Sequence, residues 1–193
     1  MRTIFLQWPL RQIAIISSES VGGVVCQNDG FINNCYNIGT VFRQDISGGV
    51  VGYGSSTVTN CNNKGTATDV NAAGGVVGNT HGVISNSYNS GAVGPKLNTG
   101  GVAGLVCKSG AITNIYNAAS ITDSIFVGGV VRSLIGSINA YYNTDNNTEN
   151  VAGAHSPIGN NNGLSSSVLG FTTLDMSGPD ALNHMIFTDA EGI

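Results

Sequence analysis

Gly48-Gly49-Val50-Val51-Gly52, followed by Asn60-Cys61-Asn62-Asn63-Lys64-Gly65-Thr66-Ala67, decides the fold, because the same text returns on both sides of it. The Gly-Gly-Val triplet recurs at Gly22, Gly48, Gly74, Gly100 and Gly128, at steps of 26, 26, 26 and 28 residues. The second half recurs in step as Asn34-Cys35-Tyr36-Asn37, Asn60-Cys61-Asn62-Asn63, Asn86-Ser87-Tyr88-Asn89 and Asn114-Ile115-Tyr116-Asn117, with a drifted fifth copy at Ala140-Tyr141-Tyr142-Asn143. A fixed period of this length marks a stacked array in which no single unit can bury its own apolar face.

Three apolar columns emerge when the copies are aligned. They read Val24, Val50, Val76, Val102, Val130; then Ile32, Val58, Ile84, Ile112, Ile138; then Val41, Ala67, Val93, Ile121. Mostly β-branched columns suit a pleated, buried surface, and no copy sustains the i, i+3, i+4, i+7 spacing of a helix. The expected fold is all-β: a parallel β-solenoid (β-helix) of about five 26-residue coils with a C-terminal capping segment. The expected division is 1–20 as an irregular lead-in and cap, 21–145 as the repeat solenoid and 146–193 as the C-terminal cap.

Within each coil the polar positions are as regular as the apolar ones. Asn37, Asn63, Asn89, Asn117 and Asn143 form one column, read as a ladder of stacked amides, and asparagine also tolerates left-handed backbone. Gly39, Gly65 and Gly91 share another, where the backbone needs positive φ or has no room for a Cβ, although the fourth coil places Ala119 there. Tyr36, Tyr88, Tyr116 and Tyr142, with Asn62 in the second coil, make an aromatic strip that stiffens the stack or binds carbohydrate. Arg43 and Asp69 fall in one column of adjacent coils, as a surface ion pair. Two extra residues in the fourth coil are expected to bulge over Leu105 to Ser109.

Beyond Asn143 the period is lost. The run 144–150 and Gly159-Asn160-Asn161-Asn162-Gly163 read as loops, and Ser177-Gly178-Pro179 opens a short helix running to Phe187. Leu174, Met176, Leu182, Met185 and Ile186 are expected to cover the last coil near Ile138. At the other end, Trp8-Pro9 and Arg11 interrupt the apolar start of the chain, which does not read as a signal peptide, and Ile13 to Ile16 supply a strand.

The pattern Gly-Gly-Val-Val-Gly, then Gly-x-Ile/Val-x-Asn-x-Tyr-Asn-x-Gly-x-Val, cleanest at Gly74 to Val93 and Gly48 to Ala67, resembles the GLUG-motif repeat of bacterial surface proteins. It departs from that pattern in placing Val, where the first Gly-Gly pair is usually followed by Leu. The resemblance implies a β-helical scaffold of adhesin-like surface proteins or of secreted immunoglobulin A metalloproteases, outside the catalytic domain. It carries no catalytic residue.

Chemistry is sparse. His81, His155 and His184 are far apart and form no His-Glu-x-x-His pair, and neither a phosphate loop nor a nucleophile elbow occurs. Asp45, Asp69 and Asp123 are spread over three coils, and the aspartate-containing nonapeptide of calcium solenoids is absent. No catalytic residue, metal site or cofactor is therefore assigned. Only 9% of the residues are charged and the net charge is -4, so a basic footprint for nucleic acid is missing, and no apolar run is long enough to span a membrane. Cys35 and Cys61 share an inward column in adjacent coils, close enough to be bridged, and are read as buried thiols in preference to a disulfide. These readings converge on a non-enzymatic, extracellular or cell-surface scaffold that meets a protein or a glycan. The alternative is an accessory region of a larger secreted hydrolase.

Overall fold

The computed structural model describes residues 15, 16, 19–43, 45–69, 71–94, 96–121, 124–143, 145, 158–162, 165–172 and 174. Every coil runs through the same short strands, and each strand pairs in parallel with its counterpart one repeat away. Ser20–Gly22, Ile46–Gly48, Ala72–Gly74, Lys96–Gly100 and Ser124–Gly128 build a first face. Val25–Asn28, Val51–Gly54, Val77–Thr80, Ala103–Val106 and Val131–Leu134 build a second. The third runs from Ile32–Asn33 and Tyr36–Asn37 to Val83–Asn89, Ala111–Asn117 and Ser137–Asn143. Val41–Arg43 and Ala67–Asp69 start a short fourth, which single bridges carry on through Val93 and Ile121. This is a parallel β-solenoid of about five turns.

Register is set by the apolar columns. Val50, Val76, Val102 and Val130 are fully buried, and they join Val51, Val77, Ile84, Ile112 and Ile138 in one continuous core between the second and third faces. Each such side chain contributes about 1.5–3 kcal/mol relative to exposure. Ala67, Ala73 and Val93 fill a smaller core between the fourth and first faces.

The Gly-Gly pair is a steric requirement. A Cβ on Gly49 or Gly75 would drive into the carbonyl oxygen of the next coil's glycine and into the amide of Asn63 or Asn89. The column of Gly65 and Gly91 is likewise a matter of space. A Cβ there would meet the backbone oxygen of the glycine one coil before, and Gly94 (φ 120°) is the one positive-φ glycine among the described residues. Left-handed backbone belongs instead to Asn34, Asn60, Asn86 and Asn114, at φ 57°, 52°, 47° and 50°. Each bends its strand so that residues three apart, such as Ile32 and Cys35, both turn inward.

The fifth coil corrects the expected register. Thr113 pairs with Asn139 but Ile115 pairs with Ala140, so Asn114 has no counterpart. Without the left-handed residue the strand alternates normally, and inward positions Ile138 and Ala140 lie two apart. Tyr141 therefore pairs with Tyr116, and Tyr142 pairs with Asn117. Tyr142 does not continue the tyrosine strip, and Asn143 does not continue the amide column.

The tail adds strand rather than loop. Ile158–Asn161 pairs with Val131–Leu134, and Ser165–Phe171 pairs with Ser137–Asn143, beginning a sixth turn. The asparagines at 160–162 are exposed while Ile158 is buried at the end of the inward Val131 column, so backbone pairing and one anchor hold a polar strand. Leu174 is 79% exposed and does not cover the last coil. Met176, Leu182, Met185, Ile186 and the expected helix lie outside the described residues. At the other end, Ile15–Ile16 forms a strand antiparallel to Ser20–Gly22. The extra residues of coil four lie in the expected segment, between Val106, which pairs with Thr80, and Ala111, which pairs with Val83, in the turn where Gly110 N donates to Cys107 O at 2.8 Å.

Candidate binding face

The third face carries the sequence-predicted site. Register places Tyr36, Asn62, Tyr88 and Tyr116 in one outward column, all half-buried. Tyr88 and Tyr116 stack at 4.9 Å between centroids and 3° between planes, close to the strand spacing of about 4.8 Å. Because the rings turn their faces to one another along the stack, the strip offers ring edges and hydroxyls outward. Inserting a sugar between Tyr88 and Tyr116 would require breaking that pair. Burial, and then the neighbouring Tyr88, push the Tyr116 hydroxyl up to about 12. Asn62 interrupts the strip between Tyr36 and Tyr88, and its Oδ1 is buried without a hydrogen-bond partner.

Beside the tyrosines run polar columns that sequence reasoning passed over. Asn33, Thr59, Ser85, Thr113, Asn139 and Ser167 share one register position, and Ser85 Oγ donates to Thr59 Oγ1 at 3.0 Å. Next to it lie the left-handed asparagines, with Asn114 Nδ2 donating to Asn86 Oδ1 at 3.3 Å. The signal was present as a run of small polar residues, but it is no stronger than ordinary strand surface. Together these columns give a face of hydroxyls, amides and phenol edges, able to hydrogen-bond a polar partner.

The asparagine ladder is internal, behind that face. Asn37 Nδ2 donates to Asn63 Oδ1 at 2.8 Å, Asn63 Nδ2 to Asn89 Oδ1 at 2.9 Å, and Asn89 Nδ2 to Asn117 Oδ1 at 2.9 Å. Each Oδ1 also accepts a backbone N–H two residues on, from Gly39, Gly65, Gly91 and Ala119. In the fifth coil Tyr142 takes this column and packs against the core, where a Cβ on Gly129 would meet its ring. Asn117 Nδ2 then donates to Gly129 O at 3.0 Å, which ends the ladder. The side chain of Asn143 lies outside the described residues.

The remaining candidates separate. Cys35 and Cys61 are buried free thiols; Cys61 Sγ donates to Thr59 O at 3.0 Å, and the adjoining thiol together with burial pushes its pKa strongly up. Ser55 Oγ donates to Asp29 Oδ1 at 2.6 Å, while the His81 ring packs on Tyr53 at 5.7 Å. In that order serine faces the carboxylate directly, rather than through the imidazole that a hydrolytic triad requires. Arg43 and Asp69 share a register position as expected, with the Arg43 side chain outside the described residues. Among the described residues no three His, Cys, Asp or Glu side chains gather as metal ligands, and no helix is long and apolar enough to cross a membrane.

No protein-family model and no curated protein matches the chain. Among solved structures, it is similar to the crystal structure of a putative immunoglobulin A1 protease from Bacteroides ovatus, with a TM-score of 0.63 and 20% identity. The likeness covers 91% of this chain and 62% of that one, so this chain spans less than two thirds of that neighbour's length. At this identity the likeness is one of fold.

Proposed function

We propose that the chain is a non-catalytic β-solenoid scaffold of a bacterial surface or secreted protein, presenting its third face to a protein or glycan. One observation carries the reading. The polar order of the third face repeats coil after coil, outside through Thr59–Ser85 and inside through the amide ladder, giving a rigid, regularly spaced surface. The resemblance of the repeat to the GLUG motif supports the same reading. A second reading, an accessory β-helical region of a larger secreted hydrolase, is supported by the name of the structural neighbour.

A screen of the purified chain against glycans and host proteins, immunoglobulin A among them, tests both readings. The first expects reversible binding that weakens at least tenfold in Thr113→Lys and Asn139→Lys, whose side chains are exposed on the third face. Cleavage of immunoglobulin A or of a polysaccharide by the chain alone would refute it. The second expects no binding by the isolated chain, and restored activity only when a catalytic domain is joined to it.

A further inference from the structure

The left-handed bend also brings two thiols together. Asn34 (φ 57°) and Asn60 (φ 52°) each stand one residue before a cysteine, and the bend swings Cys35 and Cys61 inward at the same place in adjacent coils. Asn33 pairs with Thr59 on one side of them and Tyr36 with Asn62 on the other, and Asn62 N donates to Cys35 O at 3.0 Å. The two cysteines are therefore in register, with Cα atoms one strand spacing apart, about 4.8 Å. A disulfide spans Cα atoms roughly 4.4–6.8 Å apart whose Cβ vectors do not diverge. Here the shared bend points both side chains the same way. The other two cysteines have no such neighbour: Gly52 stands beside Cys26, and His81 and Ile135 flank Cys107.

The column can lose both thiol protons at little cost. Cys61 Sγ donates to Thr59 O at 3.0 Å and Cys35 Sγ to Asn33 O at 3.4 Å. A bridge removes both donors at once and leaves no polar hydrogen stranded, while Thr59 O keeps the N–H of Asn34 at 3.3 Å. Packing does not demand sulfur here, since Ser87, Ile115 and Ala140 hold the same column in later coils. What the two thiols add is the capacity to be joined. We propose that Cys35 and Cys61 form a disulfide that staples coil one to coil two when the chain folds in oxidising surroundings, the thiol pair being its reduced form. A small disulfide such as oxidised glutathione serves as oxidant. One cysteine thiolate attacks it and releases a glutathione thiolate; the second cysteine then attacks the first cysteine's sulfur and releases the other. The pair gives up two protons and two electrons, and one oxidised glutathione becomes two glutathione thiols. Burial to 5% exposure at Cys35 and 1% at Cys61 places the exchange during folding, before the coils close over them. The staple ties off one whole repeat and so restricts the unfolded chain.

The test refolds the whole chain from urea in a mixture of reduced and oxidised glutathione, then blocks the remaining thiols with N-ethylmaleimide. The expected product carries blocked Cys26 and Cys107 and a Cys35–Cys61 bridge. Asp29 lies between Cys26 and Cys35, and Arg43 between Cys35 and Cys61, so cleavage at these residues puts the cysteines on separate peptides for mass spectrometry. The bridged chain should melt roughly 5–10 °C above the same chain treated with dithiothreitol. Cys61→Ser copies what Ser87 already supplies to this column, so it should fold, with a Tm indifferent to the redox buffer. Blocking of all 4 cysteines after the oxidising refold would overturn the proposal. So would a bridge that uses Cys26 or Cys107, or a Cys35–Cys61 bridge that leaves the Tm where it was.

Discussion

Asn89→Ala tests whether the internal amides hold the coils together or merely fill space. Asn89 is fully buried; its Nδ2 donates to Asn117, and its Oδ1 accepts from Asn63 and from Gly91 N. Three hydrogen bonds at a net 0.5–1.5 kcal/mol each amount to about 3 kcal/mol. The cost is contained because the partners keep other contacts. Asn63 Nδ2 still donates to Gly65 O at 2.9 Å, Asn117 Oδ1 still accepts from Ala119 N, and Gly91 N still reaches Asn63 O at 3.2 Å. For a chain of this size, about 3 kcal/mol lowers Tm by roughly 6–12 °C. Urea unfolding followed by circular dichroism measures the loss, with Ser90→Ala, exposed next door, as the control. A cycle with Asn117→Ala separates the ladder from its surroundings: the direct pair should couple by about 0.5–1.5 kcal/mol. A destabilisation under 0.5 kcal/mol, or additive single changes, would refute the ladder as a stabilising device.

Three further outcomes follow from the same geometry. Asn62→Tyr should raise stability by about 1–3 kcal/mol in urea unfolding, because it removes an orphaned buried acceptor and completes the ring stack from Tyr36 to Tyr88. Gly75→Ala should prevent the native fold, seen as loss of the cooperative melt, since its Cβ falls on Gly101 O and on the Asn89 amide. Absorbance titration should show one tyrosine ionising near pH 12, lost in Tyr116→Phe; because the folded pKa is raised above the ordinary 10, its stabilisation is complete below pH 10 and lost as the pH rises through 12.

The coil was legible because its strongest constraints are local and repeated. Val24 and its column recur beside a Gly-Gly pair that no other residue can replace, so period and burial direction could be read together. The two asparagines of each copy were harder. Asn34 and Asn37 share the same chemistry, and only backbone geometry separates the bend from the ladder. The polar columns of Thr59 and Asn60 carry no composition signal beyond that of solvated strand. Ser165–Phe171 was not legible as a strand, because an edge strand held by pairing to the coil before it needs no apolar period of its own.

The change of pattern in the fifth coil is decided at one missing residue. Asn114 is the last left-handed asparagine among the described residues, and the lack of a counterpart in the fifth copy returns the strand to plain alternation. That shift moves every following residue by one position and turns Tyr142 into the amide column, where a ring can neither donate to nor accept from the next coil as an amide does. The ladder therefore closes on Gly129 O, and Gly170, which pairs with Tyr142, brings no side chain to renew it. On the second face the last inward anchor among the described residues is Ile158, and the exposed asparagines follow. Among the described residues, one deletion and a change from apolar to polar positions set the sixth turn apart from the coils before it, while Val168, which pairs with Ala140, still packs against the core.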